Sequence, residues 1–531
     1  MKIKHRLFYA LLSGILLSLP WYDSFSGVFL WVAFIPLLLI EDYYHTSYKK
    51  TKKEVFLYAS LTFLTWNSLT TWWIANASTL GCLTAVLVNT CLFSLIFWLY
   101  HCIHKVVGNI AGWLSLIVFW TAFEYFYLNA EISWPWLNLG NGFAHDIKLI
   151  QWYEYTGTLG GTVWVLLINV TIFVLLTRGL RKLKLYSVAF LLGILILIPV
   201  IFSLARYESF QERKNPFRIA VIQPNVDPYA KLNAKYLCGN LLHIADSMGS
   251  SSFDYILAPE TAIEDEIWEN SPMLNYAIPE HKHFLKRFPK TSFVFGATTL
   301  KEYPATATIT STAQPFKKSA GYYDCFNTAM QIDSSPMIQL YHKSKLVVGV
   351  EKMPYPKALK WLEKSIIRFG GSFSSYGTQT TRGVFESAAQ NVKIAPVICF
   401  ESAYGEFVTG YINNGAGLIF ILTNDAWWGN TPGHCQLLNY ARIRAIETRR
   451  SIARSANTGI SAFINQRGEI TSSLGWGIKG GIVGVLNANN YKTFYVRHGD
   501  FLGFIALFIS VIILLIFSWD ILFIKKFCQI F

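Results

Sequence analysis

Charge is scarce in this chain: Asp, Glu, Lys and Arg make up 15% of its 531 residues, against 53% hydrophobic and 16% aromatic. So little polar surface excludes an ordinary soluble enzyme and makes membrane residence the first thing to test. No internal repeat or low-complexity tract is present. Glycine-rich phosphate loops of the nucleotide-binding kind are missing, and His281 and His283 fit no metal-ligand spacing, so neither a cofactor nor a metal is expected. Cysteine is sparse as well. Of the eight, Cys82, Cys91, Cys102 and Cys528 fall in or beside apolar runs, where a thiol packs as a small hydrophobe. Cys238, Cys325, Cys399 and Cys435 lie in the polar stretch, at spacings that give no recognisable disulfide framework.

What the chain has in abundance is long apolar runs. Those near 7–22, 25–40, 55–74, 80–101, 108–128, 158–177, 185–205 and 501–522 approach the roughly 17–25 residues that cross a hydrocarbon core, which makes eight candidate spans. The run at 25–40 is short, and Thr62, Asn67, Ser68 and Thr70 interrupt the one at 55–74, so either also reads as re-entrant or tilted. The first run follows Lys2, Lys4 and Arg6 as a signal peptide would, but no small-x-small cleavage site follows it and another apolar run begins at once. Basic residues accumulate in short cytoplasmic loops. Fifteen Lys/Arg lie outside 206–499, and on an eight-span topology all but Lys148 fall on the N-terminal side. The expected organisation is a bundle at 1–205, an extracytoplasmic domain at 206–499, and a final span with a cytoplasmic tail at 500–531, both termini being cytoplasmic.

The 206–499 segment has 31 Lys/Arg against 22 Asp/Glu. Such an excess could suit nucleic acid, but an exported location argues against it, and lipid headgroups are the more natural partner. From Phe217 short β-rich runs alternate with helices, which predicts an α/β domain. The strand candidates are Phe217–Gln223, Phe253–Ala258, Ser292–Gly296, Asn327–Ile332, Val392–Phe400, Gly417–Thr423 and Ile460–Asn465; helices are expected near 231–247, 272–287 and 436–450. Before this segment, the loop at 129–157 carries Ser133-Trp134-Pro135-Trp136 and Gly140. It reads either as an interfacial tryptophan anchor or as part of a lipid entrance.

Three segments place an ionisable or reactive side chain directly after an apolar strand, where sheet ends present functional groups: Tyr255-Ile256-Leu257-Ala258-Pro259-Glu260, Leu340-Tyr341-His342-Lys343 and Ala395-Pro396-Val397-Ile398-Cys399-Phe400-Glu401. A carboxylate, an ammonium and a thiol suffice for covalent acyl transfer. The thiolate attacks a carbonyl, the carboxylate takes the proton and the ammonium stabilises thiolate and oxyanion. Taken singly, each also reads as a rim charge or a core thiol; their combination and order carry the argument. The rivals are weaker. Cys435 follows His434, but adjacent side chains generally point apart, and Cys238 and Cys325 lack charged neighbours at comparable sites.

These motifs resemble those of the nitrilase superfamily, whose Glu-Lys-Cys triad sits on a four-layer αββα sandwich. Within it they are similar to the apolipoprotein N-acyltransferase family: Lys343-x-x-Leu346-Val347 followed by Glu351; Ile398-Cys399-Phe400-Glu401; Asn424-Asp425-Ala426-Trp427-Trp428-Gly429; Ala441-Arg442-x-Arg444-Ala445-x-Glu447; Arg454-Ser455-x-Asn457-x-Gly459; and the Trp134-Pro135-Trp136 loop. The resemblance spans essentially the whole chain. It implies a helical membrane bundle plus an exported sandwich in a bacterial inner membrane. The reaction it implies takes a fatty acyl chain from a phospholipid onto Cys399, then passes it to the α-amino group of an S-diacylglyceryl cysteine that begins an apolipoprotein. The resemblance makes Glu260 the base and Lys343 the oxyanion stabiliser, with Glu351 and Glu401 orienting lysine and thiol. Phe400, Trp427, Trp428 and Leu232 fall at substrate-binding positions. Phe400 replaces the family's usual Tyr and Leu232 its frequent Trp, which removes a phenolic hydroxyl and an aromatic stacking surface. The apolar segment from Leu346 to Trp361 reads as a lid over the site or as ordinary packing. The alternative function is a membrane-tethered amidase or nitrilase acting on a small exported carbon–nitrogen substrate.

Overall fold

The computed structural model describes residues 1–47, 51–179, 181–230, 232–249, 253–304, 306–317, 319–352, 355, 376–387 and 389–527, with side chains to 517. The chain divides into two compact units, Met1–Ala75 with Thr79–Glu208 and His498–Phe531, and Asn76–Ser78 with Ser209–Arg497.

The first unit is helical. Its helices are α1 (Ile3–Ser18), α2 (Leu30–Ala33), α3 (Ile35–His45), α4 (Lys52–Thr71), α5 (Thr79–Val107), α6 (Asn109–Asn129), α7 (Tyr153–Thr177) and α8 (Lys182–Ser209). Five helical segments among the described residues are long and apolar enough to cross a membrane: Gly27–His45, which joins a 3-10 turn to α2 and α3, and α5 through α8. Helix α1 is shorter, at 16 residues, and α4 is more polar. Four threonine hydroxyls and one amide nitrogen of α4 find carbonyl partners inside the bundle, as a low-dielectric surrounding favours. Thr65, Asn67, Thr70 and Thr71 bond carbonyls four residues back in α4, while Thr62 donates to the Ala10 carbonyl of α1 at 2.9 Å.

The tryptophan loop is packed into the helical unit. Trp136 is 1% exposed; it packs against Trp73 at 5.0 Å and its carbonyl accepts from the Trp21 indole. Buried Glu124 pins the segment, accepting from Trp120 at 3.0 Å, the Leu139 amide at 2.9 Å and Thr162 at 2.6 Å. A loop of 23 residues between α6 and α7 thus becomes core, because its backbone finds partners inside the bundle.

The second unit is built on two sheets. The first has eight strands: β1 (Pro216–Gln223), β2 (Tyr255–Leu257), β3 (Ile263–Trp268), β4 (Ser292–Glu302), β5 (Gln314–Pro315), β6 (Tyr322–Ile332), β7 (Ile338–His342) and β14 (Gly480–Asn487). They run in the order β14-β1-β2-β4-β6-β5, with β3 on β4 and β7 on β6. The second sheet has the order β13-β12-β11-β10-β9-β8, from β8 (Phe385–Glu386), β9 (Lys393–Ile398), β10 (Ala416–Thr423), β11 (Ile452–Ala456), β12 (Ser461–Ile464) and β13 (Ile470–Leu474). The sheets face one another: Tyr255 of β2 meets Phe420 of β10 edge-on at 5.2 Å, and Ser455 of β11 donates to the Ile222 carbonyl of β1 at 2.7 Å.

Helices α9 (Ala234–Ser247) and α10 (Ala277–Leu285) bury Leu241, Ile244, Ile278 and Leu285 against Ile222, Ile256, Phe293 and Phe295 of the first sheet. Helices α11 (Gly405–Asn413) and α12 (Pro432–Thr448) belong to the second sheet's side, followed by α13 (Phe494–His498), after which α14 (Phe501–Phe527) belongs to the first unit. Every residue of β10 is buried, as a strand covered on both faces must be. The result is an αββα sandwich. Strand β9 ends at Ile398, two residues before the expected end at Phe400, because Cys399 enters a 3-10 turn with φ of +49°.

Candidate active site

Glu260, Lys343 and Cys399 each lie just beyond the end of a strand: β2, β7 and β9 respectively. All three are buried, at 7%, 1% and 7% exposure. The Lys343 ammonium is held between two carboxylates, 2.8 Å from Glu260 Oε1 and 2.9 Å from Glu351 Oε1. Burial alone would disfavour that cation, but Glu260, Glu351 and Cys399 outweigh it and push its pKa well above the ordinary lysine value. Glu351 reaches the lysine through one tight turn: its amide donates to the Val347 carbonyl at 2.9 Å, and its Oε2 accepts from the Val347 amide at 2.8 Å. Of the lid reading, Leu346 is buried while Val350 and Tyr355 are exposed; Met353, Pro354 and Pro356 to Trp361 lie outside the described residues.

Cys399 adopts a left-handed backbone conformation that a side chain bearing a Cβ rarely takes. Such strain is retained where the surroundings over-determine it. Burial pushes its thiol pKa up, Glu260 adds to that, and Lys343 pulls it down. The parallel register pairs Ile398 with Leu422, so the next residues, Cys399 and Thr423, fall side by side with the Thr423 hydroxyl 3.2 Å from the sulfur.

Glu401 touches neither Lys343 nor the thiol by hydrogen bond. Its Oε1 accepts from the Tyr341 hydroxyl and the Ser344 amide, both at 2.7 Å. Oε2 accepts from the Ile398 amide at 2.9 Å and Tyr411 at 3.2 Å. It therefore ties the loop that carries the lysine to the turn that carries the cysteine. Burial raises its pKa, against these same donors. Arg444 of α12 steadies the same turn, donating to the Ala403 carbonyl at 3.0 Å and pairing with Glu447.

The sequence reading missed Asn327 of β6, whose Nδ2 bridges Glu260 Oε1 at 2.8 Å and Glu351 Oε1 at 3.0 Å. It sits next to Thr328, which pairs with His342, so only the strand register reveals its place. The four substrate-binding candidates are dispersed. Phe400 is buried edge-on to Tyr404 at 5.3 Å. Trp427 is 40% exposed and meets the exposed Tyr229 ring at 5.2 Å. Trp428 is half-buried in the same turn, and Leu232 is half-buried in the loop before α9.

The seven described cysteines are all unbridged. Contrary to expectation, Cys435 and His434 do meet, Sγ to Nδ1 at 3.5 Å, because Nδ1 is the ring nitrogen nearest the backbone and a neighbour about 100° around the helix remains in reach. Cys238 lies 3.5 Å from His281 Nδ1, which itself contacts the Ala277 carbonyl at 2.7 Å; burial raises the Cys238 pKa to about 12 and lowers that of His281 to about 4.

Sequence comparison divides the chain at the same place. The family described as Apolipoprotein N-acyltransferase N-terminal domain matches residues 13–171, and Carbon-nitrogen hydrolase matches residues 218–493. The apolipoprotein N-acyltransferase of Chlorobaculum tepidum is 26% identical over 529 residues, 96% of either chain. That of Thermotoga maritima is 25% identical over 528 residues, covering 95% of this chain and 92% of its own. Among solved structures, an amidase from Nesterenkonia sp. is 15% identical, covers 54% of this chain and 95% of its own, and has a TM-score of 0.34. With more than half of its length matched by that hydrolase family, behind the N-terminal domain of the apolipoprotein N-acyltransferases, the chain belongs to the carbon–nitrogen hydrolase family.

Proposed function

We propose that this chain is a membrane-embedded apolipoprotein N-acyltransferase that works by two acyl transfers through a thioester on Cys399. One observation carries the reading: a buried lysine clamped between Glu260 and Glu351 beside a backbone-strained cysteine, in a chain with the family's own N-terminal domain.

In the first transfer, Glu260 takes the thiol proton and sulfur attacks the ester carbonyl of a phospholipid. Moving that proton from sulfur to carboxylate leaves the net charge of the buried cluster unchanged, so the cost of charging a buried thiol is largely avoided. Lys343, kept cationic by Glu351 when Glu260 is neutralised, faces the thiolate and then the oxyanion. The protonated Glu260 returns its proton to the departing lysophospholipid oxygen. In the second transfer Glu260 takes a proton from the α-amino group of a diacylglyceryl cysteine, nitrogen attacks the thioester, and the thiolate leaves. The active unit acts on the extracytoplasmic face of a bacterial inner membrane, where both substrates reach it.

Incubating the purified chain with phospholipid should add one acyl mass to the Cys399 peptide, and a diacylglyceryl lipopeptide should remove it with formation of amide. Absence of the adduct, or equal labelling of Cys399→Ala, overturns the proposal. Release of free fatty acid without an N-acyl product favours the hydrolase alternative.

A further inference from the structure

The Asp425 and Arg454 side chains have no role in the transfers above, yet a line of buried hydrogen bonds runs from them to the nucleophile. Thr423 Oγ1 lies 3.2 Å from Cys399 Sγ and 2.7 Å from Asp425 Oδ1. Asp425 Oδ2 accepts from Arg454 Nη2 at 2.7 Å. Thr423, Asp425 and Arg454 are each 0% exposed. The spacing is built in: a Cβ on Gly459 would lie 2.2 Å from Asp425 Oδ2, and Arg454 also donates to the Ile460 carbonyl, which fixes its guanidinium.

A hydroxyl has one proton, and an ionised carboxylate only accepts. Thr423 therefore cannot donate to Asp425 and to sulfur together. We propose that Thr423, aimed by Asp425 and Arg454, is a positioning residue whose hydroxyl changes partner with the charge on Cys399. With the thiol protonated, the hydroxyl donates to Asp425 and the S–H proton is left for Glu260. Once Glu260 holds the thiol proton, the hydroxyl rotates and donates to the thiolate, while Asp425 keeps its pair with Arg454. When sulfur is acylated it is a poor acceptor, and the hydroxyl turns back. The Thr423 proton never leaves Oγ1; the proton that is transferred goes from sulfur to Glu260. Arg454 is needed because a bare Asp425 carboxylate would oppose an anion forming on the neighbouring sulfur. The inference rests on Cys399 being the nucleophile of the proposed reaction.

The test is iodoacetamide alkylation of the full-length chain across pH, read by mass on the Cys399 peptide, with continued protection of core Cys238 as the measure of intact folding. Thr423→Val keeps the volume and loses the hydroxyl; it should move the alkylation midpoint to higher pH and slow the reaction at neutral pH about tenfold, the loss of one hydrogen bond to a charged group. Thr423→Ser keeps the hydroxyl and should restore alkylation to within about twofold of the parent. A packing role predicts the reverse order, because serine leaves a gap and valine does not. Asp425→Asn gives the opposite sign: removing the anion beside sulfur should move the midpoint to lower pH. An unchanged midpoint in Thr423→Val, slower alkylation in the serine than in the valine variant, or a higher midpoint in Asp425→Asn overturns the proposal. Alkylation needs no lipid, so these shifts without any phospholipid-derived adduct would remove the transferase reading alone, and adduct without the shifts would remove the hydroxyl switch alone.

Discussion

A methyl group at position 296 would sit 2.5 Å from the Thr261 nitrogen and 2.6 Å from the Glu260 Cα. Gly296 on β4 is thus what lets the chain turn after β2 and bring Glu260 to Lys343; the Gly296 amide also donates to the Pro259 carbonyl at 2.9 Å. Thr261, with φ of +51°, completes that turn. Gly296→Ala must push Glu260 aside by a fraction of an ångström or more, and misplacement of about 1 Å costs on the order of 100-fold in rate. The expected outcome is a loss of Cys399 acylation of about that size, with Cys238 still protected from alkylation; acylation within about threefold of the parent would show that the turn absorbs the methyl group. At this scale the clustering of Glu260, Lys343 and Cys399 was legible in the sequence through their combination and order after apolar runs, not through any one of them. Asn327 and Thr423 were not, since an uncharged polar side chain in a buried strand looks the same whether it bonds a neighbour's backbone or a side chain of the candidate site.

Elements hold these residues in register, and β7 is held at the end that carries Lys343 by a hydrogen-bonded contact between His342 and Glu269. His342, directly before Lys343, has its Nε2 2.7 Å from Glu269 Oε1 just after β3, and stacks on Phe326 at 3.9 Å. Burial would raise the Glu269 pKa, but bonding and charge from His342, with Thr299, lower it below 4.5. A depressed carboxylate contributes stability that is complete above its unfolded value and is lost as pH falls through the folded one. The stability that this carboxylate contributes is therefore lost on the acid limb of unfolding, as pH falls through its lowered folded value. Glu269→Gln should lower stability at neutral pH by about 1 kcal/mol and flatten that limb, as read from thermal unfolding of the detergent-solubilised chain; an unchanged limb would show the pair to be inert. Such pairs join strands that the sequence pattern does not announce. Strand β3 reads Ile-Glu-Asp-Glu-Ile-Trp, and β13 is largely exposed along its length. The most instructive omission is β14, Gly-Gly-Ile-Val-Gly-Val-Leu-Asn, whose glycines resemble a loop. It pairs with all eight residues of β1, and a Cβ on Gly484 would lie 2.6 Å from the Phe463 ring, so close approach between sheets explains the glycine. The seven predicted strands that were found all lie in buried positions where apolar runs are longest.

For the whole molecule, the arrangement of basic residues is the argument for the proposed orientation, which geometry alone leaves open. Lys and Arg are costly to carry across a bilayer and are held on the cytoplasmic side. Arg178, Arg181, Lys182 and Lys184 cluster where α7 ends and α8 begins, whereas only Lys148 stands among the loops that would face the other side. Seven helical segments precede Ser209, counting α2 and α3 as one; if each crosses, a cytoplasmic start places the sandwich outside. The polar residues of α4 do not forbid its crossing, since their hydroxyl and amide groups already bond carbonyls of α1 and α4. Leu274 is 86% exposed on the sandwich and Arg181 is exposed between α7 and α8. In cells with a permeabilised outer membrane, a membrane-impermeant maleimide should label Leu274→Cys, and should label Arg181→Cys only after the inner membrane is broken. The reverse pattern would invert the molecule and would also remove the transferase proposal, because a diacylglyceryl apolipoprotein presents its amino group on the outer face. Labelling of both sites in those cells before the inner membrane is broken would mean that α8, the one helix of the first unit between Arg181 and Leu274, does not cross.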